Sequence, residues 1–187
     1  MKRIHKIWSV SLIVCLMTLL MPTVVFADGQ EITVSDYDEL VNQINSADAG
    51  SIIKLTEEIS GTSTITISKD IVLNLNGHNI TIDLTSTGSA GISVTAGTLT
   101  VKDSSGGTPG TIGGNAAYIV KLANTASLIV NGGQIRQDYS NFGGTLAAVR
   151  NEGTGSVTVE GGEIYAAGKA TVYAIWNTKA GDVYKRQ

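Results

Sequence analysis

Apolar and polar residues alternate through most of the chain after residue 50, and one short pattern recurs there. Residues 128–135 read LIVNGGQI, and residues 157–164 read VTVEGGEI, 29 positions later. A period of two is typical of β-strands, because successive side chains of a strand point to opposite faces. The pattern therefore predicts strands whose apolar positions share one core.

These strands belong to a repeating unit. Its first strand carries two apolar residues one position apart, at spacings of 26, 29 and 29 residues: Leu73 and Leu75, Leu99 and Val101, Leu128 and Val130, Val157 and Val159. Its second strand begins at Ile80, Ile112, Ile135 and Ile164, and its third contains Leu122, Val149 and Ile175. A period of this length indicates a solenoid or a propeller. A propeller blade needs about 40 residues, so this period is too short for a propeller and favours a solenoid.

The repeat therefore predicts an all-β fold, a right-handed single-stranded parallel β-helix with three short strands per coil and coils of about 26–29 residues. The right-handed winding is expected because parallel crossover connections are overwhelmingly right-handed.

The corners of the coils carry glycine and asparagine. Glycine allows backbone conformations in which a Cβ would clash, so these glycines are predicted to form structural turns: Gly77, Gly132, Gly133, Gly161 and Gly162. Three asparagines each stand two positions after the apolar residue that marks a third strand, and they predict a ladder of side-chain amides: Asn124, Asn151 and Asn177. The alternative for the asparagines is the ordinary preference of this residue for turns.

Residues 35–45 have a helical rather than a strand period. Their apolar residues fall at i, i+3, i+4 and i+7 and form one stripe: Tyr37, Leu40, Val41 and Ile44. Ser35 with Asp38 resembles a capping box. We expect this helix, within a capping segment 28–50, to cover the open apolar end of the β-helix, which spans 51–180.

The first 27 residues predict an export signal that is cleaved after Ala27. Lys2, Arg3 and Lys6 precede a largely apolar run, residues 7–20, and residues 25–27 read VFA. The alternative is an uncleaved N-terminal anchor. The prediction implies a secreted or cell-surface protein.

Charge and cysteine content narrow the function further. Removal of the three leader cations from 13 Lys plus Arg leaves 10 against 16 Asp plus Glu, a net charge of −6. Nucleic-acid binding, which requires a concentrated basic patch, is therefore not expected. The single cysteine, Cys15, lies in the leader, so no disulfide is expected in the exported chain.

The repeat stops within a coil that begins at residue 172, so we expect a β-helix that is truncated at its C-terminal end and continues in a longer chain. The last residues, GDVYKRQ, depart from the pattern, and residues 181–187 are predicted to be a non-native tail.

The motifs LxLNGxxI, LxVNGGxI and VxVEGGEI, with the leader and the capping helix, resemble the pectate-lyase-like β-helix family. More narrowly, residues 31–180 resemble the β-helical regions of large exported surface proteins of Gram-positive bacteria. The resemblance implies either enzymes that cleave acidic polysaccharides or non-catalytic, adhesin-like stalks. Fold alone does not choose between these two functions.

Candidate catalytic and metal-binding groups are few, and we expect no catalytic residue, no metal and no cofactor. Glu160 and Glu163 share one turn, where solvated carboxylates are ordinary. His78 has no histidine partner after the leader, which is poor support for a metal site. A glycosidase would need two neighbouring carboxylates.

Binding is better supported by the pattern. Strand parity points Trp176 outward and places Arg150 on the same face one coil earlier. Nearby turns carry three further aromatic residues, Tyr165, Tyr139 and Phe142. An indole beside a guanidinium forms a cation–π pair and a flat surface on which sugar rings stack. The alternatives are that Trp176 is covered by a further coil or is simply exposed.

Two functional hypotheses follow. The first is a non-catalytic exported β-helix of the cell surface, an adhesin-like stalk whose side face binds a polysaccharide or a host-surface glycan. The second is the N-terminal fragment of a polysaccharide lyase or glycoside hydrolase whose catalytic coils lie further along the chain.

Overall fold

The computed structural model describes residues 30–86, 88–138, 144–168, 171–179 and 182–185. Their fold is a parallel β-helix of about four turns, consistent with the predicted right-handed winding. In chain order its strands are β1 (Glu31–Val34), β2 (Ile52–Leu55), β3 (Ile59–Gly61), β4 (Ile65–Ile67), β5 (Ile71–Asn74), β6 (Ile80–Ile82), β7 (Ala90–Val94), β8 (Thr98–Lys102), β9 (Thr111–Gly113), β10 (Tyr118–Leu122), β11 (Ser127–Gln137), β12 (Thr145–Asn151), β13 (Val157–Ala166), β14 (Thr171–Asn177) and β15 (Val183–Lys185). One helix, α1 (Tyr37–Ser46), follows β1.

The strands stack into three faces. The first face contains β1, β2, β5, β8, the first halves of β11 and β13, and β15. The second face contains β3, β6, β9 and the second halves of β11 and β13. The third face contains β4, β7, β10, β12 and β14. Every pairing is parallel, so each coil lies directly on the preceding one.

The glycine-containing corner between the first and second strands of a coil differs between the early and the later coils. In the later coils the first two strands merge into one bent strand, and the β11–β13 pairing shifts register between Val130 and Asn131 and again before Gln134. These shifts are bulges, which bend a strand without ending it. In these two coils the first and second strands of the repeat are therefore continuous, because the bulges at the Gly-Gly pair bend the strand without ending it.

The predicted columns of inward side chains are confirmed for most positions. Leu128 and Val130 pair with Leu99 and Val101 on one side and with Val157 and Val159 on the other. The isoleucine column Ile80, Ile112, Ile135 and Ile164 is also in register.

The alignment of the earliest repeat is wrong by two residues. Ile71 pairs with Leu99, and Leu73 pairs with Val101. Leu75 lies beyond the end of β5, where it is fully buried at the corner of its coil. Because Ile71, Leu73 and Leu75 have the same parity and similar apolarity, a shift by two preserves the inward pattern.

The burial of Leu75 explains why one turn position, residue 133, is a glycine. A Cβ on Gly133 would lie 2.6 Å from Leu75 Cδ1, and Gly133 has a left-handed φ of 74°. Gly162, one coil on, has a φ of 72°, and its Cβ would lie 2.3 Å from the Gly133 carbonyl oxygen. Positive φ also occurs at Gly77 and Gly132 but not at Gly161, so the conformational reason for a glycine does not apply at Gly161.

The helix covers the N-terminal end of the core, as predicted. Leu40 and Ile44 are buried in the central apolar cluster, and Tyr37 and Val41 pack against it. The cap lies one residue later than expected: Asp36 accepts a hydrogen bond from the Glu39 N–H at 2.9 Å, in place of the predicted Ser35 and Asp38 pair. The stack begins with β1, which lies inside the capping segment 28–50.

The long corner between β8 and β9, residues 103–110, is organised by one carboxylate. Asp103 accepts hydrogen bonds from the N–H groups of Gly77 (3.0 Å), Ser105 (2.9 Å) and Gly110 (2.7 Å), and from the Ser105 hydroxyl (2.6 Å). Partial burial acts to raise the pKa of Asp103, but these hydrogen bonds outweigh it and lower the pKa below the ordinary value of 3.8. Asp103 thus ties an insertion in one coil to the turn of the coil beneath it.

The C-terminal residues continue the repeat further than predicted. Val183 pairs with Val157, and Tyr184 pairs with Thr158. Residues 183–185 therefore follow the first face in register, although their departure from the pattern was expected. The origin of the tail stays a prediction.

Substitution of an inward residue tests the stacking register. Val130→Asp should remove most of the stability, by about 3–5 kcal/mol, because it places an unpaired charge in the core. Val130 is fully buried, whereas its neighbour Ile129 points outward and is half-buried. The matched control, Ile129→Asp, should cost about 1 kcal/mol or less, the span of strand propensities. Urea denaturation of both variants measures the difference, and equal losses would contradict the register.

Substitution of Asp103 tests the corner. Asp103→Asn should destabilise the protein by about 1–3 kcal/mol near neutral pH, because an amide cannot accept from all of these donors. Since the folded pKa is lowered, the stabilisation by the carboxylate is present above pH 3.8 and is lost as the pH falls through the folded pKa. The difference between wild type and variant in urea denaturation should therefore shrink in acid. The exposed Glu57→Gln is the control, and a pH-independent difference at Asp103 would contradict the role of its charge.

Candidate functional site

The third face brings together two of the predicted binding residues. Arg150 of β12 pairs in register with Trp176 of β14, and Lys121 of β10 pairs with Arg150 on the other side. These positions alternate with inward Val149 and Ile175, so their side chains form one outward column. The predicted juxtaposition of Arg150 and Trp176 is confirmed.

The Arg150 guanidinium contacts two aromatic rings. Its central carbon is 4.4 Å from the centre of the Trp176 ring and 4.5 Å from that of Tyr118. The guanidinium also donates a hydrogen bond to the Tyr118 hydroxyl. Its Nε is buried and has no hydrogen-bond partner among the described residues. The two ring contacts therefore hold the plane of the guanidinium in place.

Two charged residues, Glu152 and Lys121, lie close to Arg150. A terminal nitrogen of Arg150 lies 2.7 Å from a Glu152 carboxylate oxygen, and Lys121 Nζ lies 3.9 Å from the other oxygen. Glu152 is about one-third exposed, so this pair is partly shielded from water. The carboxylate thus orients the guanidinium across the strands and offsets part of the local positive charge.

Two aromatic residues at this site were not predicted. The rings of Tyr173 and Trp176 are stacked, with centres 5.8 Å apart and planes 23° apart, and Tyr173 is 42% exposed. Tyr118 is buried, and its ring centre lies 6.1 Å from that of Trp176. Both tyrosines pair in register with Ala147, whose methyl group separates them. The correct repeat spacing, applied to all outward positions, would have found them. We call Tyr118, Arg150, Tyr173 and Trp176 the aromatic platform.

A groove of about 560 Å³ lies beside the aromatic platform. Arg150 and Glu152 form part of its wall, and Asn124, Thr178 and Lys179 supply further polar groups. This volume is within the range of about 300–1,000 Å³ that is typical of small-molecule sites. The site therefore joins a flat aromatic surface to hydrogen-bond donors and acceptors.

Tyr165, the third predicted binding residue, is not part of this site. It lies in the second half of β13 on the second face, where the Arg136 guanidinium is 4.7 Å from its ring centre. Strand parity could not distinguish the faces, because an outward residue on any face has the same alternation. Tyr139 and Phe142, which were expected on nearby turns, lie outside the described residues.

The predicted asparagine ladder is wrong at one member. Asn151 pairs with Asn177, but the partner of Asn151 in the preceding coil is Leu122 rather than Asn124. Val120, not Leu122, pairs with Val149, so the third strand was misaligned by two residues in the same way as the first. Asn124 instead has a left-handed φ of 53°, and its amide donates to the Thr95 carbonyl at 3.0 Å.

Asn151 has a local structural role. It is fully buried, its amide donates to the Gly155 carbonyl at 2.8 Å, and its side-chain oxygen accepts from the Gly153 N–H at 3.0 Å. It therefore holds the corner that follows β12, which forms one side of the groove.

The acidic residues with potential chemistry are engaged in ladders along the coils. The amides of Asn131 and Gln134 donate to the carboxylates of Glu160 (3.3 Å) and Glu163 (3.0 Å), respectively. His78 Nδ1 lies 4.0 Å from Glu58, at the edge of an ion pair. Within the described ranges, no group of three or more His, Cys, Asp or Glu residues could hold a metal ion.

Comparison of the chain with protein-family models, curated proteins and solved structures gives no match. The class that the structure defines is thus the parallel β-helix. Across the part of the chain that the structure describes, no helix has the length and apolar character needed to cross a membrane.

Removal of the guanidinium tests the platform. Arg150→Met should lower the free energy of unfolding by about 1–2 kcal/mol, because it removes two cation–π contacts and the close partner of Glu152. The variant should also change the fluorescence of Trp176, which is the only tryptophan in a Trp8→Phe background. The matched control is Arg136→Met on the second face, which should leave the emission unchanged. Identical emission in wild type and Arg150→Met would contradict the ring contact.

Proposed function

We propose that this protein is a non-catalytic, exported β-helix of the cell surface that binds glycans along the third face. The observation that carries the proposal is the stacked Tyr173 and Trp176 pair beside a polar groove. Aromatic rings offer an apolar face to the C–H groups of a sugar, while neighbouring polar groups bind its hydroxyls. The site has both features on adjacent strands.

The composition of the groove supports a sugar ligand. Asn124 and Thr178 are neutral hydrogen-bonding residues, while Arg150, Glu152 and Lys179 are charged. A glycan hydroxyl both donates and accepts, so it can pair with every one of these groups. The guanidinium is held by rings and by Glu152, so little side-chain freedom would be lost on binding.

The architecture supports a stalk that presents this face. Each coil contacts its neighbours through parallel pairing and buried apolar columns, which makes a solenoid stiff along its axis. The leader predicted at residues 1–27 supports export, and the resemblance to exported surface β-helices of Gram-positive bacteria supports a role at the cell surface. In this proposal the β-helix holds its binding face away from the cell surface.

Loss of the indole tests this function. Trp176→Ala should lower retention on insoluble polysaccharide by about fivefold or more, because a flat ring stacked on an aromatic side chain, as nucleic-acid bases do, contributes about 1–3 kcal/mol. Pull-down on xylan, chitin and peptidoglycan, compared with wild type, measures the loss. Trp176→Phe should retain part of the binding, since it keeps a flat ring.

The control for this experiment is Tyr184→Ala, which removes another exposed aromatic ring, 52% exposed, from the first face. It should bind as wild type does. Wild-type protein that is retained on none of the three polysaccharides, or Trp176→Ala that is retained as wild type, would contradict the proposal.

A further inference from the structure

The second face carries a polar slot that the proposed function does not use. Outward positions on this face form a column in which Thr81 pairs with Gly113, and Arg136 pairs with Tyr165. Arg136 follows Ile135, which pairs with Ile112, so Gly113 lies between Thr81 and Arg136. Since glycine has no side chain, the column has a gap one strand wide, about 4.8 Å.

The gap opens into a cavity of about 320 Å³. Residues from three coils line this cavity. We call the cavity and these residues the polar slot: Asn79, Thr81, Thr111, Gly113, Arg136 and Asp138. The volume is at the lower end of the range of about 300–1,000 Å³ for small-ligand sites, which suits a single ring.

The walls of the polar slot are held in place by contacts along the coils. The Asn79 side-chain oxygen accepts from the Thr111 N–H at 2.8 Å, and the Thr111 hydroxyl donates to Gln134 at 3.3 Å. Tyr165 supports the Arg136 guanidinium from the next coil, with 4.7 Å between the guanidinium carbon and the ring centre. The slot is therefore built before any ligand enters.

Charge indicates what the polar slot would take. Its lining has one cation and one anion, Arg136 and Asp138, and their side chains are 3.4 Å apart and 37% and 54% exposed. A donor and an acceptor at this spacing match two adjacent hydroxyls, one of which accepts from the guanidinium while the other donates to the carboxylate. An anionic ligand would meet the Asp138 carboxylate and is disfavoured.

We propose that the polar slot is a second carbohydrate site, which binds a neutral sugar ring through a vicinal diol held by Arg136 and Asp138. It lies on the second face, apart from the aromatic platform of the third face. The protein would then bind glycan on two sides of one solenoid. This extends the proposed function to a second face, but each site can fail without the other.

Filling the gap tests the slot directly. Gly113→Thr adds the side chain that the column has at Thr81, and Gly113 has no left-handed φ. A Cβ there would lie 3.3 Å from the Arg136 carbonyl oxygen, a close contact that requires a shift of a few tenths of an ångström. A second variant, Asp138→Ala, removes the acceptor from an exposed position. Thermal melting curves that match wild type establish that both variants fold.

The affinity of the full chain for soluble mannan, arabinoxylan and β-glucan is measured by affinity electrophoresis, with polygalacturonate as the anionic probe. Gly113→Thr and Asp138→Ala should each weaken binding of a neutral polysaccharide by at least tenfold. The control Tyr184→Ala, on the first face, should change that binding by less than twofold. Gly113→Thr should leave any polygalacturonate binding unchanged, and Trp176→Ala, measured alongside, reports on the aromatic platform.

Three results would overturn the second site. They are wild-type protein that binds no neutral polysaccharide, Gly113→Thr that binds as wild type does, and polygalacturonate binding that falls with Gly113→Thr. If Trp176→Ala alone loses binding, the second site fails and the aromatic platform stands. If the two slot variants alone lose binding, the platform fails and the second site stands.

Discussion

Parallel, in-register pairing between successive coils is the constraint on which the rest of this structure depends. Strands about 4.8 Å apart place equivalent residues of neighbouring coils in contact, so each position becomes part of a column. An inward column must be apolar along its whole length, as the fully buried Leu99, Leu128 and Val157 are. An outward column can contain polar residues, aromatic residues or a glycine without a side chain, and the candidate sites consist of such columns.

Columns also explain how the fold tolerates irregular corners. Residues 103–110 add length to one coil, yet Leu99 and Ile112 on either side keep their partners. The excess backbone is folded outward, where Asp103 satisfies donors from its own corner and from Gly77 of the coil below. Because the insertion stays at a corner, it changes the surface without disturbing the core. Corners are therefore where such a solenoid can vary its surface.

The two aromatic–guanidinium pairs show what the faces contribute. Arg150 with Trp176 and Arg136 with Tyr165 arise from the same relation, an arginine one coil before an aromatic residue in an outward column. Their surroundings differ, since the Arg150 side chain contacts two rings and is 22% exposed, whereas the Arg136 side chain contacts one ring and is 37% exposed. The two pairs lie on different faces and therefore point in two directions from one β-helix.

The sequence by itself determined the fold class, the capping helix and most inward columns, because alternation and a regular spacing are local features that burial requires. It could not determine register where several equivalent residues follow one another. Ile71, Leu73 and Leu75 fit a column equally well when shifted by two, and so do Val120 and Leu122, which placed Asn124 in the wrong ladder.

Only the tertiary structure decided which face each outward residue occupies. Tyr165 lies outside the predicted site, and Tyr118 and Tyr173 lie within it, because the face that a residue occupies depends on where the chain bends. Those bends are set by contacts between coils, such as Leu75 beneath Gly133, that link residues far apart in sequence.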